Sequence, residues 1–278
     1  VRDSVNHGNA ADVRLAEHLT EIGVTASAAI LAVDFRDAGT RLKADSSPVS
    51  RADEAAQTAI AEGLSRLAPG IPVISEEAVA DWQGRAAPQE FLLVDPLDGT
   101  VEFLAGRLEY TVNIALVRDG TPVAGLIAAP ALGLIWRGAA GHGAERLRFT
   151  VGKTRAPQRG EPIHTRPWPA DERVAAVSRS HFDPASEAFL QRVAPVRPLA
   201  CGSALKFCRL AEGAIDIYPR LAPTSEWDVA AGHAIVAAAG GAVFAPDGGA
   251  LVYGGVRDGF RVPGFIAWGD PAAARRIL

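Results

Sequence analysis

The sequence predicts a mixed α/β fold in two parts, an α+β N-terminal half with an antiparallel sheet and an α/β C-terminal half with a mainly parallel one. Three observations predict it. Two stretches of helical periodicity open the chain, and a run of strands containing a hairpin follows. Beyond residue 170, strands and helices alternate, the pattern of a parallel sheet with helical crossovers. Between the halves, residues 152–170 are rich in Pro, Arg and Gly, as a domain boundary is expected to be. The expected units are residues 1–165 and 166–278.

Each element has its own warrant. From Asp12 to about Arg36, apolar residues recur at helical spacing: Leu15, Leu19, Ile22, Ile30 and Val33. Lys43-Ala44-Asp45-Ser46-Ser47-Pro48-Val49 has the chemistry of a loop or hairpin. A second helix is expected from Arg51 to Leu67, with Ala56, Ile60, Gly63 and Leu64 in its buried stripe. Ser50 followed three residues later by Asp53 resembles a capping pattern at its start, and Pro69-Gly70 ends it. Short strands are predicted at Val73–Ile74 and Phe91–Val94. Tyr110–Val117 and Val123–Ala128 flank Arg118-Asp119-Gly120-Thr121, a hairpin signal. Leu134–Arg137 and Arg146–Thr150 extend that antiparallel set. In the second half, strands are predicted at Val174–Val177, Ile215–Tyr218, Ala242–Phe244 and Gly264–Ala267. Helices are predicted at Pro184–Val193, Ala204–Ala211 and Asp228–Ala239.

Composition narrows the function. Hydrophobic residues make up 48% and charged residues 22% of 278, which places the chain among globular proteins with a sizeable core. No apolar run reaches the roughly 20 residues of a membrane span. The opening Val1-Arg2-Asp3 is polar and shows no signal peptide, so the cytoplasm is expected, with peripheral inner-membrane contact left open. The net charge is −4 and no basic run appears, which argues against a nucleic-acid polymer as partner. Cys201 and Cys208 are seven apart, a spacing that suits buried thiols better than a disulfide. The six histidines show no zinc-ligand spacing. Only three of the 28 basic residues are lysines, namely Lys43, Lys153 and Lys206; the rest are arginine. An ammonium is not interchangeable with a guanidinium, so lysines that persist against that background, Lys43 and Lys206 above all, become site candidates.

Three acidic motifs carry the chemistry. Asp95-Pro96-Leu97-Asp98-Gly99-Thr100 directly follows the apolar strand Phe91-Leu92-Leu93-Val94, so its carboxylates stand at a strand end where a ligand can be met. Pro96 fixes the backbone, Gly99 permits a tight bend, and two carboxylates three residues apart can face one side. Oxygen donors of this kind suit Mg²⁺. A helix beginning near Gly99–Thr100 would turn its free N–H groups toward a phosphate. Ser75-Glu76-Glu77 also follows a short apolar strand, and reads either as a second acidic motif or as a solvated loop pair. Asp228, after Trp227, opens a helix and reads either as a plain N-cap or as a third site residue; Asp53 carries the same ambiguity.

Taken together, these motifs resemble the inositol monophosphatase superfamily of magnesium-dependent, lithium-sensitive phosphatases. Ser75-Glu76-Glu77, Asp95-Pro96-Leu97-Asp98-Gly99-Thr100 and Glu226-Trp227-Asp228-Val229-Ala230-Ala231-Gly232 look like its three signatures in order. The resemblance spans nearly the whole chain and implies a layered αβαβα sandwich. Lys43–Val49, Ser178-Arg179-Ser180-His181, Gly202-Ser203-Ala204-Leu205-Lys206-Phe207-Cys208 and Tyr218-Pro219-Arg220 are similar to the bisphosphate-nucleotidase branch of the family. The resemblance implies one Mg²⁺ on Glu76, Asp95 and the Leu97 carbonyl, and a second on Asp95, Asp98 and Asp228, with Asp53 available to help recruit a third. Asp53, Glu76 and Thr100 would serve catalysis, the first by accepting a hydrogen bond from Thr100, the other two by orienting water. The substrate contacts implied are Glu76, Leu97, Asp98, Gly99, Thr100, Ser203 and Asp228, with Ser180, His181, Lys206 and Arg220 toward a second phosphate. The expected reaction removes the 3'-phosphate of adenosine 3',5'-bisphosphate. An inositol or sugar phosphatase of the same fold is the nearest alternative, and a non-catalytic nucleotide sensor the alternative of another class. The expected protein is a monomer or homodimer.

Overall fold

The structure, a computed structural model, describes residues 10–42, 48–83, 85–150, 152, 158–179 and 183–278. The N-terminal half runs α1 (Ala10–Leu31), a small hairpin β1 (Arg41–Leu42) and β2 (Pro48–Val49), α2 (Arg51–Leu67), β3 (Val73–Ser75), β4 (Glu90–Asp98), α3 (Thr100–Leu104), β5 (Thr111–Arg118), β6 (Thr121–Ala129), β7 (Leu134–Ala139), β8 (Gly143–Arg148) and β9 (Glu161–Ile163). The C-terminal half runs β10 (Arg173–Ser178), α4 (Pro184–Arg192), β11 (Val196–Cys201), α5 (Leu205–Ala211), β12 (Ile217–Arg220), β13 (Thr224–Ser225), α6 (Glu226–Ala238), β14 (Ala242–Phe244), β15 (Arg261–Val262), β16 (Phe265–Trp268) and α7 (Pro271–Ile277).

Strands β3 to β9 lie side by side in sequence order as one seven-stranded sheet, antiparallel except for the β3–β4 pair. The second sheet has the order β11-β10-β12-β16-β14. Its β11, β10 and β12 run parallel, as the alternating pattern predicts, while β16 and β14 join antiparallel. The antiparallel part arises because β16 follows β14 and β15 by loops rather than by a helical crossover.

The five expected layers are present, and strand alternation assigns their faces. Leu92, Val94, Ile114, Leu116 and Leu126 of the large sheet pack on Leu19, Ile22 and Ile30 of α1 and Ile60 and Leu64 of α2. Their neighbours Phe91, Leu93, Ala115 and Ile127 face the other way, onto α5 and α6 through Phe207, Cys208, Val229 and Ile235. The same middle layer meets Val174, Ala176, Tyr218 and Phe265 of the second sheet. The opposite face of that sheet, with Ala175, Val177, Ile217 and Trp268, is covered by Phe189 and Leu190 of α4 and Ala273 and Ala274 of α7. Close approach at α6 depends on glycine. A Cβ on Gly232 would stand 2.2 Å from the Phe207 ring, and one on Gly125 of β6 would stand 2.5 Å from the Ala231 carbonyl oxygen.

The first helix ends at Leu31, five residues before its expected end, and a 3₁₀ turn over Phe35–Asp37 follows it. Asp34 caps that turn by accepting from the Arg36 N–H, a local hydrogen bond that competes with helix continuation. Strands β9 and β11 are not foreseen, because β9 is three residues long and β11 has only one buried residue, Cys201. Cys201 closes β11 and Cys208 sits in α5; both are buried free thiols. No helix among the described residues is long and apolar enough to cross a membrane.

Candidate active site

A β-bulge builds the centre of the site. Asp95 pairs with Asn113 and Asp98 with Thr111, so three steps along β4 match two along β5. In a regular strand, residues three apart face opposite sides; the extra residue puts both aspartates on one side. Gly99 then turns the chain at φ 93°, and α3 begins at Thr100 as a helix of five residues. Gly99 cannot be replaced cheaply: its φ favours glycine, and a Cβ would lie 3.3 Å from the Glu109 carbonyl and from Tyr110.

Helix α2 supplies Asp53 at its third position. One carboxylate oxygen of Asp53 accepts from the Ser50 N–H (2.8 Å) and the Ser50 hydroxyl (2.7 Å), closing a capping box. The other accepts from the Thr100 hydroxyl at 2.8 Å, and Thr100 also lies 3.2 Å from the Leu97 carbonyl. Asp53 is therefore a cap and a support for Thr100 at once. It is buried and does not line the cavity. Helix α6 repeats the device with Ser225 and Asp228: Asp228 accepts from the Ser225 N–H at 3.1 Å and from the Thr224 hydroxyl. Beside it, Glu226 accepts from the Gly254 and Gly255 N–H groups at 2.7 and 2.8 Å and pins the loop that covers the start of α6.

Glu76, Asp95, Asp98, Thr100 and Asp228 line one cavity of about 510 Å³, a size suited to a mononucleotide. Arg220, Lys206 and Ser203 stand in its wall, together with the Leu97 and Gly99 positions. Burial pushes the Asp95 carboxyl well above the usual range, and the charges of Glu76, Asp98, Asp228 and Asp53 push the same way. Asp228 is raised by burial and by Asp98, with Thr224, Arg220 and Ser225 pulling back. Burial opposes the charge on Arg220, but Tyr218, Asp228 and Asp98 outweigh it and hold its pKa above the ordinary value. Carboxylates crowded around the buried Asp95 keep their charge most readily beside a cation, and the donors are all hard oxygens, so the residues fit Mg²⁺. As the side chains stand, each acid is turned to donors of its own surroundings: Asp95 accepts from the Leu97 N–H at 3.0 Å, and Asp98 from the Ser203 hydroxyl at 2.7 Å. Among the described residues, no three acidic, histidine or cysteine side chains close on a single point.

Other sequence candidates have more specific places. Lys206 is buried in α5; its ammonium donates to the carbonyls of Ser203 (2.6 Å) and Cys201 (3.2 Å) and lies 5.3 Å from the centre of the Tyr218 ring. It holds the loop that carries Ser203. Lys43, Lys153, Ser180 and His181 lie outside the described residues. Sequence reasoning missed Glu109, which accepts from the Arg179 guanidinium (2.9 and 3.0 Å) and from the Gly202 N–H (2.9 Å). Burial works against the charge of Glu109, but Arg179 and Gly202 outweigh it and lower its pKa. It also missed Thr111, Asn113 and Thr224; none stands in an acidic motif, and only the strand pairing brings the first two to the aspartates.

With that geometry in hand, similar proteins are informative. The inositol monophosphatase family model matches residues 14–274. The chain is 43% identical over 223 residues to the 3'(2'),5'-bisphosphate nucleotidase CysQ of Shigella flexneri, covering 80% of this chain and 86% of that protein. It is 41% identical over 228 residues to CysQ of Escherichia coli strain K12, with the same coverage. Among solved structures, CysQ from Bacteroides thetaiotaomicron superposes with a TM-score of 0.77 at 34% identity, covering 91% of this chain and 96% of that one. An ordered set of three acidic motifs, a five-layer sandwich and these matches lead to one assignment: the chain belongs to the inositol monophosphatase family.

Proposed function

We propose that this protein is a Mg²⁺-dependent phosphatase that removes the 3'-phosphate of adenosine 3',5'-bisphosphate, giving AMP and phosphate. The observation that carries the reading is the shared cavity of Glu76, Asp95, Asp98, Thr100 and Asp228, with Arg220 and Lys206 on its wall. The names of the relatives, bisphosphate nucleotidases, support the substrate. Glu76, Asp95 and the Leu97 carbonyl would hold one ion, and Asp95, Asp98 and Asp228 a second, with Asp95 common to both. Magnesium bound there supplies Lewis-acid polarisation of the phosphoryl oxygens and makes water more acidic.

The protein's own groups orient the water. The Thr100 hydroxyl spends its one proton on Asp53, whose other oxygen is occupied by Ser50. Its lone pairs are thus left to accept from water, with Glu76 as the second acceptor. That arrangement aims a water lone pair at phosphorus. The water oxygen bonds to phosphorus as the P–O3' bond breaks, and a proton released by that water ends on the departing 3' oxygen. Arg220, held charged by its neighbours, is the contact assigned to the second phosphate, with Lys206 shaping that wall.

The test is phosphate release from adenosine 3',5'-bisphosphate and from inositol 1-phosphate, side by side with Mg²⁺. Strong preference for the nucleotide is expected, and Arg220→Ala should raise KM for the bisphosphate more than for a 3'-monophosphate. Preference for inositol phosphate would reject the substrate assignment, and cleavage of neither would return the nucleotide-sensor reading.

A further inference from the structure

One side-chain chain reaches the site from behind. The Asp98 carboxylate lies 2.7 Å from the Ser203 hydroxyl; Ser203 is in turn hydrogen-bonded to the Thr111 hydroxyl; and Thr111 lies 2.9 Å from the side-chain amide of Asn113. Thr111 and Asn113 are both buried and sit opposite Asp98 and Asp95 in the β4–β5 ladder. Ser203 comes from the other half of the molecule, 92 residues along the chain from Thr111. It holds a left-handed backbone, φ 52°, which a residue with a Cβ adopts at a cost. The surroundings hold it there: Gly202 is bonded to Glu109, Glu109 to Arg179, and the Ser203 carbonyl to Lys206.

Counting protons gives this chain a direction. An ionised carboxylate only accepts, so the Asp98 contact uses the proton of Ser203. The contact between Ser203 and Thr111 must then use the proton of Thr111. None is left for Thr111 to give to Asn113, so that third contact needs a donor from the amide. With the amide oxygen toward Thr111, three contacts share two protons, and Nδ2 is buried with no hydrogen-bond partner among the described residues. Turning the amide by 180° changes no shape, supplies the missing proton and gives Nδ2 a partner. It leaves an amide oxygen in its place, and an under-satisfied carbonyl is the commoner and cheaper exception in proteins.

We propose that Asn113, Thr111 and Ser203 form a one-way donor relay that ends on Asp98 and fixes this carboxylate for the divalent cation. Ser203 is then a positioning residue, where the sequence suggested a substrate contact. The inference rests on the metal-binding role proposed for Asp98. Partners that orient a metal-binding side chain are worth about tenfold or more in cation affinity.

Thr111→Val keeps the shape and deletes the hydroxyl. Mn²⁺ binding measured by calorimetry, and the rise in melting temperature given by Mg²⁺, read the effect without any substrate. Thr111→Val should weaken Mn²⁺ about tenfold, Asn113→Leu should do the same, and Thr111→Ser should restore binding. At saturating cation, KM for substrate should stay near the wild-type value. Wild-type Mn²⁺ affinity in Thr111→Val would overturn the relay alone. A wild-type protein that binds neither cation would overturn the relay together with the metal reading. If Thr111→Val does not fold, Ser203→Ala, in the cavity wall, takes the same measurement with the same two outcomes.

Discussion

The two capping boxes, Ser50 with Asp53 on α2 and Ser225 with Asp228 on α6, use the same local chemistry for different ends. In each, a serine before the helix and an aspartate at its third position satisfy N-terminal groups. In each, one carboxylate oxygen takes the serine N–H. They differ in what else the aspartate meets. Asp53 is buried beneath the site and gives its second oxygen to Thr100, so it acts through that hydroxyl. Asp228 lines the cavity and faces Asp98 and Arg220, so in the proposed reading it would meet the ligand directly. The difference teaches that a helix cap and a place at the cavity are not rival readings of one residue. A carboxylate has two oxygens, and the helix start uses one.

Asp95 is the neighbour that both boxes influence, and Asp95→Asn tests them together. Turnover should fall by at least about a hundredfold, read as phosphate release. Because burial and the surrounding acids disfavour its charged form, the same variant should melt higher than the wild type in EDTA; a lower melting point would contradict that crowding. Next, Asp228→Ala should abolish tight Mn²⁺ binding, whereas Asp53→Ala should leave most of it and lower kcat by about tenfold or more. Equal loss of Mn²⁺ in both would erase the contrast between the boxes. In metal-free protein, Asp53→Ala should also cost about 1 kcal/mol of cap stability, measured by urea unfolding.

The smallest effect at neutral pH lies further along α6. His233 is packed on Tyr253, 2.9 Å from its hydroxyl, and burial holds its pKa down at about 4 against an ordinary 6.5. The folded state therefore resists a proton that the unfolded chain accepts. Stability should fall as pH drops from 6.5 toward 4 and level off below, by at most about 3 kcal/mol. His233→Gln should flatten that slope in acid unfolding; an unchanged slope would assign the loss to the carboxylates.

Local pattern picked out the acids as candidates, with Asp95 after an apolar strand, Asp53 and Asp228 at helix starts and Glu76 after β3, but it left the last three open between cap or loop and site, and the family resemblance joined them. The scarcity of lysine singled out Lys206, which is buried and stands in the cavity wall. Its role could not be read, because the carbonyls it serves are positioned by tertiary packing. Thr111 and Asn113 look like ordinary strand residues; their importance comes from a bulge in the opposite strand and from a loop of the other half. Glu109 likewise gains meaning only from Arg179 and Gly202, both far along the chain. The helical part of the N-terminal half and the β5–β6 hairpin followed from periodicity and turn chemistry. The antiparallel edge of the second sheet did not, since strand direction is set by connections that carry no periodic signal.

The glycine contacts of α6 reach beyond packing. Asp228 belongs to a helix whose distance from α5 and β6 is set by Gly232 and Gly125, with no room for one added carbon. A genetic screen for inactive variants should therefore recover alanine at these two glycines alongside lesions in the acids. The inheritance of activity in this protein thus depends on residues that can touch neither substrate nor cation.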